Sequence, residues 1–244
     1  MDYELLFIIA TILLLPAILF AFWAQWRVHS VFNRTSGEMS MSGQTGAAVA
    51  RQLLDQNGCH DVTIEMTRGH LSDHYDPRKK VVRLSADVHN SASLAALGVA
   101  AHEVGHAVQD NTNYGPLKLR QLIVRVTRIT NILLLPLIIL GFIGMIMGMF
   151  IFHADFFFWF IVALCALYGI STLAMLATVP VELDASRRAK AMLDQSGIVT
   201  DQDEMDGVKS VLTAAALTYV AALVVSLVHF LRLFALVMMA KGRR

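Results

Sequence analysis

The sequence predicts a mainly α-helical, polytopic membrane protein with about four transmembrane helices and one small polar domain that includes a short β-hairpin. Three observations carry that expectation. The chain has 244 residues and is 56% hydrophobic, with a mean hydropathy of +0.56, well above a soluble domain. Its apolar residues gather into four long runs instead of spreading over short core elements. Between the first two runs lies a polar stretch whose patterning switches from helical to alternating and back, as a packed domain would require.

The runs are Tyr3 to Trp26, Ile129 to Phe152, Phe156 to Val179 and Val211 to Ala240. A bilayer core needs about 20 apolar residues, so each is long enough to cross. The head of the first carries Asp2 and Glu4 instead of basic residues and no small-residue cleavage site follows it, so it reads as an anchor and not as a cleaved leader. The resulting organisation is an anchor at 3–26, a polar domain at 27–128, a transmembrane hairpin at 129–179, a helix within 180–210 and a last apolar segment at 211–240.

Basic residues set the expected orientation. Arg27 and Arg34 follow the first run, Arg120, Arg125 and Arg128 precede the second, and Arg187, Arg188 and Lys190 follow the third, while the His153-Ala154-Asp155 turn has none. Both polar stretches are therefore expected in the cytoplasm of a plasma membrane. Four crossings leave the Lys241-Gly242-Arg243-Arg244 end outside, which strains the rule. One way out is a last crossing from Val211 to Val228, with His229 to Ala240, interrupted by Arg232, lying in the interface or folding back.

The net charge of +1, with no basic run interleaved with aromatics, gives no footprint for nucleic acid. Cys59 and Cys165 form neither a disulfide framework nor a CxxC knuckle.

Within the polar domain, Ala47, Ala48, Ala50, Leu53 and Leu54 recur at helical spacing until Gly58 stops the pattern. Val62 to Met66 and Lys80 to Leu84 alternate as half-buried strands do, the second after the turn signal Asp76-Pro77. The second strand is read either as an edge that pairs with an extended substrate or as half of a supporting hairpin. Asn90, Ser91 and Ser93 offer caps for a helix over Ala92 to Asp110. Its apolar first half is too short to cross lipid, and Gly98 and Gly105 point to close approach by another segment.

That helix contains Ala101-His102-Glu103-Val104-Gly105-His106. Histidines at i and i+4 stack on one helical face and can share a metal, and the glutamate between them can take a proton from water on that metal. Two imidazoles hold zinc too weakly for catalysis, so a third ligand must come from elsewhere. Glu182, just past Pro180 where the third apolar run ends, is the first choice, opening a helix over Val181 to Leu193. On that helix Ala185, Ser186 and Ala189 share its face and permit tight packing. Asp184 lies about 200° round the helix, so the two cannot both point at one ion, and Asp184 stands as a group behind the ligands or a cap, or as the ligand in place of Glu182. Glu182 can also be read as a carboxylate favouring a helix N-terminus.

The segments Ser72-Asp73-His74-Tyr75-Asp76-Pro77, Leu84-Ser85, Ala101 to Gln109 and Val181-Glu182-Leu183-Asp184-Ala185-Ser186-Arg187-Arg188-Ala189 resemble the YugP-like neutral zinc metallopeptidases of bacterial membranes. More distantly, the chain is similar to HtpX-type and prenyl-protein membrane proteases. The resemblance runs over nearly the whole chain. It implies a zincin-like cytosolic domain, Zn(2+) held by His102, His106 and Glu182, and Glu103 as general base. It also implies hydrolysis of peptide bonds in membrane or membrane-proximal proteins, with a protein or peptide substrate and the lipid bilayer as partners, and room for a membrane-protein partner or a homo-oligomer. Ser186 stands where those distant relatives carry an aspartate, so the role behind the ligands falls either to Ser186 or to Asp184.

Two other functions compete. An intramembrane site-two-type protease would draw a ligand from Met205-Asp206-Gly207, a faint echo of the LDG motif. A non-catalytic membrane scaffold or adaptor would keep zinc for structure, which usually takes four protein ligands, cysteine common among them. His70, His74, Tyr75, His89, Arg187 and Arg188 are chemically able to stabilise an oxyanion, but their spacing places none of them at the site. His29, His60 and His153 suggest no role, and His229 with Arg232 reads as an interfacial or inter-helix contact.

Overall fold

The computed structural model describes residues 2–146 and 154–242. Its elements, in chain order, are α1 (Tyr3–Ser36), α2 (Gly46–Gln56), β1 (Thr63–Thr67), β2 (His74–Asp76), β3 (Val81–Ser85), α3 (Ala86–His89), α4 (Leu94–Asn111), α5 (Gly115–Ile146), α6 (Ala154–Gln195) and α7 (Gln202–Gly242). The protein is mainly helical, with one small sheet. Two compact units divide it, one drawn from 1–22, 119–179 and 219–244, the other from 23–118 and 180–218.

In the first unit, long apolar helices follow directly from the long apolar runs. Among the described residues, Tyr3–Ser36, Phe157–Gln195 and Gln202–Gly242 are long and apolar enough to cross a membrane. Helix α5 carries 129–146 of the second expected crossing, whose remainder lies outside the described residues, as does His153 of the expected turn. Near its beginning α1 lies beside the end of α7. Tyr3 meets Phe234 edge-on with centroids 6.4 Å apart, and Arg232 sits 5.7 Å over the Phe7 ring, so the two helices run antiparallel. Ala10 and Ala17 on α1 and Ala221, Val228 and Ala235 on α7 are buried at intervals of seven, whereas Leu15 and Leu19 are exposed. Small residues on the shared face bring backbones close, which is what helix association in lipid requires, and the large apolar residues are left for the hydrocarbon.

Helix α7 is uninterrupted through His229 and Arg232. The folded-back reading of the ending is thus replaced by a continuous helix, because apolar residues continue on both sides of Arg232 and nothing there breaks the hydrogen-bond ladder. His229 stacks on Tyr168 of α6 at 5.0 Å, an inter-helix contact.

The second unit packs α2, the sheet and α4 around a common core. Val49, Leu53 and Leu54 of α2, Val82 and Leu84 of β3, Leu97, Ala101 and Val104 of α4, and Leu193 of α6 are buried in it. Each buried leucine contributes roughly 1.5–3 kcal/mol relative to exposure. Local signals agree with the element ends. The Thr45 and Ser93 side chains cap α2 and α4 by accepting from Ala48 N and Ala96 N, and Gly58 takes φ +70 just past α2.

The sheet departs from expectation. The two strands read from alternation do not form a hairpin together: β1 pairs with β3 in parallel, and β3 is central, in the order β1-β3-β2. The connection over 68–80 is long enough for the crossover that parallel pairing needs. Within it the three-residue β2 turns back through Asp76, whose Oδ1 accepts from the Arg78 and Lys79 amides, and pairs antiparallel with β3. The hairpin is therefore β2–β3. Because β3 has neighbours on both sides, it is not the free edge that the substrate-pairing reading required.

Candidate metal centre

Helix α4 presents His102 and His106 one turn apart, their ring centroids 4.8 Å from each other and nearly perpendicular at 82°. Glu182 comes from α6, and it does not open a new helix as expected. Pro180 lies inside α6, so the residues that end the apolar run and those that carry Glu182 are one rod. What brings the two helices together is legible in Gly105: a Cβ there would stand 2.7 Å from the Ala185 carbonyl oxygen. Glycine at that point lets α4 lie against the α6 backbone. Gly98 is packed less closely, since a Cβ there would meet Val208 Cγ1 at 3.5 Å.

The consequence is a convergence of three donor groups. Glu182 Oε2 is 3.2 Å from His102 Nε2 and 3.5 Å from His106 Nε2. One ligand atom from each residue lies within 4.8 Å of the others. Zinc bonds of 2.0–2.1 Å arranged tetrahedrally place neighbouring donors about 3.3 Å apart, so the two short separations fit. Two imidazoles and a carboxylate are also the donor chemistry of a zinc site that leaves a position open. Glu182 is 1% exposed and His106 8%, and a carboxylate so deep needs compensating charge or coordination.

Each imidazole is held from behind. His102 Nδ1 is 3.2 Å from Ser186 Oγ, and His106 Nδ1 is 3.0 Å from Gln109 Oε1. Gln109 in turn donates from Nε2 to the Val181 carbonyl oxygen at 2.8 Å and to Asp184 Oδ2 at 2.9 Å. Arg188 Nε donates to the same Asp184 oxygen at 2.7 Å, and its guanidinium lies 5.6 Å over the Tyr114 ring. Both candidates for the supporting role reach a histidine: Ser186 bonds one directly, as expected, and Asp184 reaches the other through Gln109. Asp184 itself is absent from the three-residue donor set.

Glu103 is buried beside the histidines, 8% exposed. Burial pushes its carboxyl up to about 7; the nearby His102 charge opposes this, and Glu182 and Asp73 add to it. A group that exchanges its proton near neutrality suits acid–base work.

The remaining sequence candidates are held by other partners, although the His74 charge is among those that act on Glu103. Tyr75 donates to Asp110 Oδ2 at 2.9 Å, tying β2 to α4, and burial pushes its phenol well above the usual range. His70 pairs with Asp87 at 2.7 Å, His74 Nδ1 lies against the Ser72 carbonyl at 2.8 Å, and His89 against Asn90 Oδ1. Arg187 is 3.7 Å from Asp184. Asp206 of the Met205-Asp206-Gly207 segment is exposed, bonded to Gln202 and Lys209, and takes no part in the donor set. Sequence reasoning missed Gln109 and Asp73, the latter accepting from the Ser85 amide and hydroxyl at 2.7 and 3.0 Å. Gln109 had a signal, since it lies three residues after His106 and so on the same helical face. Asp73 had none.

Fold and site together define a class: a helical protein with membrane-length apolar helices and a largely buried cluster of two imidazoles and a carboxylate. The chain belongs to the family described as "Putative neutral zinc metallopeptidase", which it matches over residues 10–238. It is 43% identical over 233 residues to a Bacillus subtilis (strain 168) protein named "Putative membrane protease YugP", covering 93% of this chain and 95% of that relative. No solved structure matches the chain.

Proposed function

We propose that this protein is a zinc-dependent metalloendopeptidase that hydrolyses peptide bonds of membrane or membrane-proximal proteins, with His102, His106 and Glu182 as metal ligands and Glu103 as general base. The observation that carries the reading is the convergence of both helix-borne imidazoles on the Glu182 carboxylate. Family membership supplies zinc and peptide hydrolysis as the chemistry to which that convergence belongs.

Bound there, zinc would supply a Lewis acid that acidifies water and polarises the scissile carbonyl. The chain's own groups do the rest. Ser186 and Gln109 orient the imidazoles, and α4 and α6 exclude solvent from Glu182. Glu103 accepts a proton as water adds to the peptide carbon, then returns it to the nitrogen as the C–N bond breaks.

In this reading the polar domain at 27–128 and the helix within 180–210 lie in the cytoplasm of a bacterial plasma membrane. The anchor at 3–26, the hairpin at 129–179 and the segment at 211–240 make four crossings. Basic residues at the ends of the apolar runs support that orientation. Glu182 follows the last residue of the third run, Val179, by less than one helical turn. The substrate bonds in reach are then those close to the bilayer surface.

The test is Glu103→Gln. The variant keeps one zinc per chain by elemental analysis and loses cleavage of an unfolded protein substrate by about 10²-fold or more. Cleavage at the wild-type rate by a zinc-loaded variant would falsify the reading.

A further inference from the structure

Gln109 is fully buried on α4, three residues beyond His106, and its amide stands between a histidine and two acceptors. The Val181 carbonyl oxygen at 2.8 Å and Asp184 Oδ2 at 2.9 Å can only accept. Both are on the same side of the amide, so the NH2 group must face them and use both of its hydrogens there. Asp184 is in turn fixed by Arg188 at 2.7 Å. The oxygen Oε1 is thereby left for His106 Nδ1, 3.0 Å away. An amide oxygen has no hydrogen to give, so Nδ1 must carry the proton and donate it.

That choice reaches the site. In the neutral form that a metal ligand requires, with its proton on Nδ1, His106 turns the lone pair of Nε2 toward Glu182 Oε2, 3.5 Å away. Two acceptors then face each other across a gap that a cation between them relieves. His102 lacks this discipline, because its Nδ1 partner is the Ser186 hydroxyl, which can either give or take a hydrogen.

We propose that Gln109 is a positioning residue that locks His106 in the Nδ1–H tautomer, transmitting the fixed polarity of Val181, Asp184 and Arg188 on α6 to the metal-facing nitrogen of α4. The proposal rests on the metal reading of His102, His106 and Glu182. It adds that α6 contributes twice: a ligand from Glu182, and the tautomer of a ligand on the other helix. Removing the Oε1 acceptor leaves His106 free to adopt either tautomer, and partners of this kind carry about 10–100-fold in metal affinity.

The measurement is zinc affinity of the purified full chain in detergent, by competition with a chromogenic chelator, with thermal unfolding of the metal-free protein recorded beside it. Wild type binds one zinc and His106→Ala does not. A wild type that binds none removes the metal reading and this proposal with it. Gln109→Leu keeps the bulk and loses the acceptor, and is expected to bind zinc about 10–100-fold more weakly. Gln109→Glu combined with Asp184→Asn restores an acceptor for His106; the new carboxyl, kept protonated by its burial, donates to the Val181 carbonyl oxygen and accepts from the new amide, and the pair is expected to recover affinity to within a few-fold of wild type. A Gln109→Leu protein that binds as tightly as wild type overturns the lock. So does a paired variant that folds yet binds no better than Gln109→Leu, or, where Gln109→Leu fails to fold, one that binds about 10-fold or more below wild type.

Discussion

At the level of single side chains, the two histidines are supported unequally. His106 is held by an amide whose orientation is dictated by its other partners, whereas His102 relies on a hydroxyl that can rotate. Ser186→Ala removes the hydroxyl that partners His102 Nδ1 without disturbing the close contact between Gly105 and Ala185. Its expected effect is about tenfold weaker zinc binding, read by chelator competition, with the unfolding temperature of the metal-free protein little changed. Affinity equal to wild type would show that packing alone orients His102. Much of this neighbourhood is legible in the sequence. The His102, Glu103 and His106 spacing is a local helical pattern, and Glu182 is marked by its place beside Pro180 at the end of an apolar run. Gln109 shares the helical face of His106, but that position alone assigns it no role, because an amide behind a ligand belongs to no common motif. The tautomer argument also needs Val181 and Asp184, more than 70 residues away.

At the level of elements, the contact between α4 and α6 rests on a missing side chain. Gly105→Ala gains up to about 1 kcal/mol in helix propensity, but its methyl must stand 2.7 Å from a backbone oxygen that cannot move without its helix. Overpacking of this sort typically costs about 1–3 kcal/mol. The expected result is a lower unfolding temperature and displaced Glu182. Gly98→Ala meets a side-chain methyl at 3.5 Å, ordinary contact, and is expected to be neutral or to stabilise by up to about 1 kcal/mol. Thermal unfolding of the two variants in one detergent checks the contrast; equal behaviour would mean that the helices adjust freely. The strands show where reading by pattern stops. Alternation finds β1 and β3, but not that they pair in parallel, since register across a long connection is a tertiary outcome. The three residues of β2 are too few for a periodic signal, and Pro180 looks like a beginning because proline favours a first helical turn, although here it lies inside a longer helix.

At the level of the whole chain, the antiparallel course of α1 and α7 puts Tyr3 level with Phe234. Both chain ends are therefore expected on the same face of the membrane. Reporter fusions at each end, a phosphatase active only outside and a fluorescent protein that matures only inside, should agree with each other. If the polar domain is in the cytoplasm, as proposed, both should report the outside. Opposite signals from the two ends would refute the paired arrangement of α1 and α7. The basic Lys241 to Arg244 tail strains that orientation, and an uninterrupted α7 through Arg232 removes the folded-back ending that would relieve it.

The order of the donors along the chain has its own consequence. His102 and His106 are made early, whereas Glu182 sits on a helix that begins at Ala154, just before the third apolar run. A nascent polypeptide emerging from the ribosome thus holds both imidazoles and nothing to complete their coordination sphere. Only after that later helix has been synthesised and delivered to lipid does the last oxygen arrive. Hydrolytic competence would then be gated by biogenesis: the enzyme could not attack its neighbours before it had reached its own address.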